Sequence, residues 1–210
     1  MALAPTVVRD GNNAAQNLVA FQDLASNSMA QVGTDSTQQV YRASANFTPQ
    51  ATAGVTLITI TGSATKTVRI RRITIGGVST ALGQMIVALQ RTSALGAGGT
   101  LVAPTVGKND SASAAATAVV NHWTTSLKSA GTPVGGPLSM QQVFTGTLTV
   151  PTVGIAGGPQ VLFPEGGAPI GQAIVLRGVA DILEVQNITP TNLTAGSVLT
   201  YTVEWVEDAS

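Results

Sequence analysis

The chain of 210 residues has no cysteine, few charges and few aromatic residues. Without cysteine it can form neither disulfides nor thiolate zinc sites, and it has no thiol nucleophile. Charged residues make up 10% of the sequence, well below the average for globular proteins. The ten basic residues balance the ten acidic ones. A surface without net charge does not repel its own kind, so the composition favours a protein that works inside an assembly.

Long apolar runs are absent as well. Short or interrupted runs, such as Ala173–Leu176 and Val179–Val185, are much shorter than the ~20 residues that span a bilayer. The N-terminal segment MALAPTVVRDG lacks a basic stretch followed by an apolar core, so it does not match a signal peptide. We therefore predict no membrane partner, and export, if it occurs, would need a route such as lysis.

Catalysis requires titratable groups that converge, and the sequence offers few of them. His122 is the single histidine, so any Ser-His-Asp triad would depend on it. We interpret His122 as a surface or interface residue. Asp181 and Glu184 are close in sequence but fall on opposite faces of a strand, unlike the paired carboxylates of a glycosidase. We predict a protein that is not an enzyme and that has no metal and no cofactor.

Short segments rich in Val, Ile and Thr run from about residue 38 to the end of the chain, and clusters of Gly, Pro, Asn or Ser separate them. This pattern is typical of β-strands. We predict that residues 36–210 form an all-β domain, an antiparallel β-sandwich of jelly-roll type.

Residues 1–35 differ from the rest of the chain. Short apolar pieces flank Asp10-Gly11-Asn12-Asn13, a sequence that tolerates positive φ and indicates a turn. We predict an extended N-terminal arm with a short hairpin. Because so short a hairpin buries little of its own surface, we expect the arm to pack on the main domain or on a neighbouring subunit.

The segment TKTVRIRRITIGG, residues 65–77, holds four of the ten basic residues. Nucleic-acid-binding domains are usually basic overall and carry aromatic companions. This chain is neutral, and no aromatic residue lies between residues 48 and 122. We therefore predict no direct contact with nucleic acid.

The alternation of apolar and polar residues changes parity within this segment. In Val68–Ile70 the apolar residues hold the even positions, whereas in Ile73–Ile75 they hold the odd ones. A regular strand with this sequence would bury Arg72. One extra residue restores the apolar face to the core, so we predict a β-bulge near Arg71 and Arg72 that projects both side chains at an edge.

The last strand, TYTVEWVEDAS, offers carboxylates that match the basic cluster. Its apolar residues face the core, so Glu204 points outwards, and Glu207 and Asp208 close the strand. We predict ion pairs between these carboxylates and the arginines, within the chain or between subunits. Arg71 with Glu204 is the specific pair that we hypothesise.

A loop-like segment, IAGGPQVLFPEGGAPIGQ (155–172), places Phe163 between paired glycines. Phe163 either plugs the end of the sandwich or contacts a partner. Together with the charged residues above, it completes the candidate interface. The candidate interface residues are Arg69, Arg71, Arg72, Phe163, Glu204, Glu207 and Asp208.

Three segments carry a resemblance to known proteins: VVRDGNNAAQNL, NFTPQATAGVTLITITGSATKTVRIRRITIGG and QAIVLRGVADILEVQNITPTNLTAGSVLTYTVEWVED. They cover under half of the chain. They resemble structural proteins of tailed-bacteriophage virions, which are small and rich in Gly, Ala and Thr. The resemblance implies a β-sandwich that is made in the host cytoplasm and built into a virion, and it supplies no catalytic residues.

From this resemblance and the composition we predict a head decoration or cement protein on the outer surface of the capsid. It would form a homo-oligomer, with a trimer favoured over a dimer, and would bridge neighbouring subunits of the major capsid protein. The alternative is a tail or fibre component, either an adaptor or a receptor-binding module.

Overall fold

The computed structural model describes residues 7–9, 15–17, 39–49, 53–79, 83–125, 129–147, 159–163, 173–188 and 197–209. Contacts divide the chain into two compact units, Met1–Thr37 and Gln38–Ser210. In the first unit, β1 (Val7–Arg9) and β2 (Ala15–Asn17) pair antiparallel, as expected of a hairpin. The remainder of the predicted arm lies outside the described residues.

The second unit is built from β-strands, and its described residues contain no helix, hence none that could cross a membrane. The strands in chain order are β3 (Gln39–Phe47), β4 (Val55–Thr61), β5 (Lys66–Ser79), β6 (Gly83–Ala94), β7 (Thr100–Val102), β8 (Val106–Lys108), β9 (Val119–Thr125), β10 (Thr132–Pro133), β11 (Ser139–Thr147), β12 (Gln160–Phe163), β13 (Ile174–Arg177), β14 (Ile182–Asn187) and β15 (Val198–Ala209).

These strands form two antiparallel sheets that pack against each other. The first sheet has the order β8-β3-β15-β5, and β12 and β13 share the free side of β5. The second sheet has the order β7-β9-β4-β14-β6-β11, and β10 pairs with β6. The end of β11 also runs parallel to the end of β5, which links the two sheets at one corner.

The strand order confirms the predicted jelly roll. The central strands of the first sheet are β3, β15, β5 and the pair β12 and β13, and those of the second are β4, β14, β6 and β11. With β12 and β13 counted as one strand, the chain alternates between the sheets at every step except from β6 to β11. Two Greek keys folded in this way define a jelly roll.

The core lies between the sheets, and strand alternation fills it. Side chains at every second position turn inwards, which is why apolar and polar residues alternate in β3 and β15. Burying one such aliphatic side chain contributes roughly 1.5–3 kcal/mol. The largest fully buried side chains of this core are Tyr41, Leu57, Ile58, Ile60, Ile70, Ile73, Ile75, Met85, Leu89, Tyr201 and Trp205.

The connection between β6 and β11, residues 95–138, extends both sheets. Its strand β8 pairs with β3 at the edge of the first sheet. Its strands β9 and β7 pair with β4 and with each other at the edge of the second sheet. The connection therefore links the β3 edge of one sheet to the β4 edge of the other.

Candidate functional site

The predicted bulge is present in β5, and the bulged residue is Arg71. Glu204 of β15 lies opposite Arg72, and the next residue of β15, Trp205, lies opposite Ile70. Arg71 therefore has no opposite residue in β15. The isoleucines on both sides of the bulge remain in the core. The extra residue thus keeps both halves of the strand in register with the core and turns Arg72 to the solvent.

The bulge aligns three rows of residues on the outer face of the first sheet. Each row takes one residue from β3, one from β15 and one from β5. The rows are Arg42, Glu204 and Arg72; Ser44, Thr202 and Thr74; and Asn46, Thr200 and Gly76. In each row the β3 and β15 side chains are hydrogen-bonded to each other, at 2.8 Å, 2.9 Å and 2.6 Å respectively.

The β5 side of the first two rows opens into a cleft of about 360 Å³. Within the described part of the chain, the side chains of Arg72 and Thr74 take part in no hydrogen bond or ion pair. The cleft therefore presents a guanidinium and a hydroxyl that are unpaired among the described residues. Its lining residues are Arg42, Arg72, Thr74, Pro159, Thr202 and Glu204.

Two arginines pair with carboxylates of the last strand on this face. Arg42 Nε donates to Glu204 Oε2 at 2.8 Å, and Arg69 Nε donates to Asp208 Oδ2 at 2.5 Å. The hypothesis of Arg71 opposite Glu204 is corrected by the register, because the bulge places Arg72 there instead. All four paired side chains are partly exposed, so each pair contributes only about 0–1 kcal/mol.

Arg42, Thr74 and Thr202 line the cleft but were not predicted from the sequence. Alternation already turns Arg42 away from the core, because it lies between the buried Tyr41 and Ala43. Its position next to Glu204 depends on the strand order, which brings residues 162 positions apart into contact. A sequence pattern alone carries no such information.

Glu207, predicted as a candidate interface residue, is buried within the chain. It is 4% exposed. Its carboxylate accepts hydrogen bonds from the Thr117 amide and hydroxyl, the Ala118 amide and the Trp205 indole, at 2.7–3.0 Å. Glu207 thus fastens the middle of the 95–138 connection, at residues 117–118, to the last strand, and its side chain does not form part of an exposed contact surface.

The surroundings of Glu207 favour its ionised form. Burial alone raises the pKa of a carboxyl group, because the charged form loses solvation. The hydrogen bonds from Ala118, Thr117 and Trp205 act in the opposite direction and prevail, so the pKa of Glu207 lies below its usual value. Lys66 Nζ lies 3.8 Å from the carboxylate and adds a favourable charge.

Phe163 is half-buried at the end of β12. It lies opposite Ile73 of β5, and its ring packs against the core. This position matches the first interpretation, a plug at the end of the sandwich. Contact of its exposed part with a partner stays a prediction, and Pro164 and Glu165 lie outside the described residues.

His122 lies in the core, so its interpretation as a surface or interface residue was wrong. Its Nδ1 atom lies 3.1 Å from the Tyr201 hydroxyl oxygen, and its ring centre lies 5.5 Å from that of Phe47. Burial lowers the pKa of His122, because the charged form is poorly solvated there. The ring takes part in core packing.

Asp181 also has structural partners in the sandwich. Asp181 accepts from Arg91 Nη1 at 2.6 Å and from the Arg177 amide at 3.0 Å. Across the described ranges, no group of three or more His, Asp or Glu residues is placed to hold a metal ion.

Glu184 is fully buried on the outer face of the second sheet, beneath residues 129–131. One carboxylate oxygen, Oε2, accepts from the Thr56 hydroxyl, the Gly131 amide and the Gln186 side chain, at 2.8–3.0 Å. A Cβ atom at Gly131 would lie 2.1 Å from the Ala94 carbonyl oxygen, so this approach requires glycine. Glu184 therefore holds the connection at Gly131, and Glu207 holds it at Thr117 and Ala118.

Comparison of the chain with protein-family models, with curated proteins and with solved structures gives no significant match. The fold, the surface and the sequence resemblance described above are therefore the grounds for a function.

Proposed function

We propose that this protein is a structural component of a tailed-bacteriophage virion, a decoration or cement protein on the outer surface of the capsid. Its mechanism is the addition of contact area. Bound as a homo-oligomer, with a trimer favoured, it bridges neighbouring major capsid subunits and resists the pressure of packaged DNA. The resemblance of the three sequence segments supports the virion location, and the jelly roll is a fold that viral capsid domains also use.

The observation that carries this proposal is an exposed aliphatic strip on the second sheet. Val134, Leu138 and Met140 are each about half exposed and follow one another alongside β6. Val134 and Leu138 donate backbone hydrogen bonds to Arg91 and Leu89. Permanent interfaces are more apolar than ordinary surface. A contact that covers this strip would remove it from water, which suits permanent attachment to a capsid.

The alternative function is that of a tail or fibre component, an adaptor or a receptor-binding module. The polar cleft at Arg72 favours this second candidate, because a decoration protein has no need of a ligand site. The fold does not distinguish the two, since jelly rolls also occur in lectins.

Copy number in purified particles separates the two candidates. Quantitative mass spectrometry of the virion, with the major capsid protein as internal standard, should give a ratio near that of a full surface lattice. A few copies per particle, located at the tail in electron micrographs, would favour the alternative. Complete absence of the chain from particles would contradict both.

The N-terminal arm provides a second test, because we expect it to bind a neighbouring subunit and so attach the protein to the capsid. Removal of residues 1–35 should abolish binding to heads that lack the protein, as measured by co-sedimentation. Substitution of Met140 by Ser, in the aliphatic strip, should weaken binding in the same assay. Full occupancy by the truncated protein would show that the arm does not attach it to the capsid.

A further inference from the structure

We propose that the cleft at Arg72 is a binding site for a sugar acid, a hydroxylated ring with one carboxylate. The inference does not depend on the proposed virion role. On the outer face, the β3 and β15 side chains of the rows are hydrogen-bonded to each other, whereas those of Arg72 and Thr74 on β5 have no partner within the described residues.

The guanidinium of Arg72 determines the acidic part of the ligand. An arginine fork binds planar oxyanions through two parallel hydrogen bonds. Glu204 lies directly opposite Arg72, and it keeps its negative charge close to the site. A doubly charged phosphate group would be repelled by Glu204 more strongly than a singly charged carboxylate. The neighbouring charges thus favour a carboxylate.

The other lining groups determine the hydroxylated part of the ligand. Thr74 offers a hydroxyl group that can donate and accept. Glu204 uses one oxygen for Arg42, and within the described part of the chain its second oxygen is bonded to no other group. A ligand hydroxyl can donate to that oxygen. The cleft thus presents one cationic donor, one hydroxyl and one anionic acceptor, which complement a carboxylate with neighbouring hydroxyl groups.

The size of the cleft matches a single sugar ring. Neighbouring strands lie about 4.8 Å apart and successive outward residues about 7 Å apart, so Arg72, Thr74, Thr202 and Glu204 outline a rectangle of those dimensions. The volume of about 360 Å³ is at the lower end for small-molecule sites. Pro159 also lines the cleft. None of the described lining residues is aromatic, so affinity depends on the charged and hydroxyl contacts.

The test is a titration of the isotope-labelled full-length protein with glucuronate, followed by NMR. We expect saturable shifts of the Arg72 side-chain signal and of the Thr74 and Thr202 amides. Glucose, which lacks the carboxylate, and acetate, which lacks the hydroxyls, should each bind at least about tenfold more weakly. An oligo-uronate tested in parallel shows whether the site also accepts the residue within a polysaccharide chain.

Matched variants make the test specific to the cleft. Arg72→Ala should weaken glucuronate binding about tenfold or more. Arg177→Ala, which removes the same charge from an exposed position of β13, should leave it unchanged. Thermal unfolding of both variants controls for their fold. Three results would each overturn the proposal. The first is an equal chemical-shift response to acetate, phosphate and glucuronate, and the second is no response to glucuronate up to about 50 mM. The third is an equal effect of the two substitutions on glucuronate binding.

Discussion

The Glu207 carboxylate lies where the last strand meets the connection between β6 and β11. Glu207→Ala would leave the buried donors of Thr117, Ala118 and Trp205 without an acceptor. We expect the free energy of unfolding to fall by about 3 kcal/mol or more, because unpaired buried donors are costly. Urea unfolding measures this change. Glu204→Ala, which removes a partly exposed ion pair, should lower it by no more than about 1 kcal/mol, and equal losses would contradict our account.

We also expect Glu207 to make the stability of the folded protein sensitive to acid. Its pKa is lower in the folded protein than in the unfolded chain, so the unfolded chain binds the proton first. The stabilisation is complete above the unfolded value of about 4.3 and is lost as the pH falls through the folded pKa. Melting temperatures between about pH 5 and pH 3 should fall steeply for the native chain and less steeply for Glu207→Gln. Parallel curves would argue against this role.

We expect His122 to give the stability of the protein a second, milder dependence on pH. Burial lowers the pKa of His122 in the folded protein, so the unfolded chain gains a proton first as the pH falls. Stability is therefore complete above about pH 6.5 and decreases below it until the folded pKa is reached. His122→Gln should remove the slope just below about pH 6.5 in a plot of melting temperature against pH. A slope that persists in this variant would assign it to another group.

At the scale of elements, the Arg71 bulge can be tested by deletion. Removal of Arg71 leaves a strand in which Ile70, Arg72 and Ile73 alternate regularly, so the core side chains keep their positions. We expect a stable sandwich with a melting temperature lower by less than about 8 °C. Deletion of Thr74 instead turns Ile75 out of the core and should prevent folding. Circular dichroism and thermal unfolding distinguish the two, and similar damage from both deletions would contradict the proposed role of the bulge.

The elements themselves were largely predictable from the sequence. Alternation and turn residues located the main strands, and the parity change in TKTVRIRRITIGG located the bulge, because both depend on neighbouring residues. The partners of the charged side chains were harder to predict. Arg42 with Glu204, and Glu207 with Thr117, join residues that are 162 and 90 positions apart.

At the scale of the whole molecule, the division into two units predicts that the sandwich folds by itself. Removal of residues 1–35 should change the melting temperature by less than about 4 °C, because the core lies within Gln38–Ser210. Scanning calorimetry should show one cooperative transition for the truncated chain. A large loss of stability would mean that the arm belongs to the folded core.

The sequence by itself determined the fold class and the bulge, since alternation, turn composition and parity are local properties. Only the tertiary structure decided which polar side chains are buried and which remain unpaired. It placed Glu207 and His122 inside the sandwich and left Arg72 without a partner in the part of the chain that it describes. The reason is physical: burial and pairing depend on which strands become neighbours, and in a jelly roll those strands lie far apart in the chain.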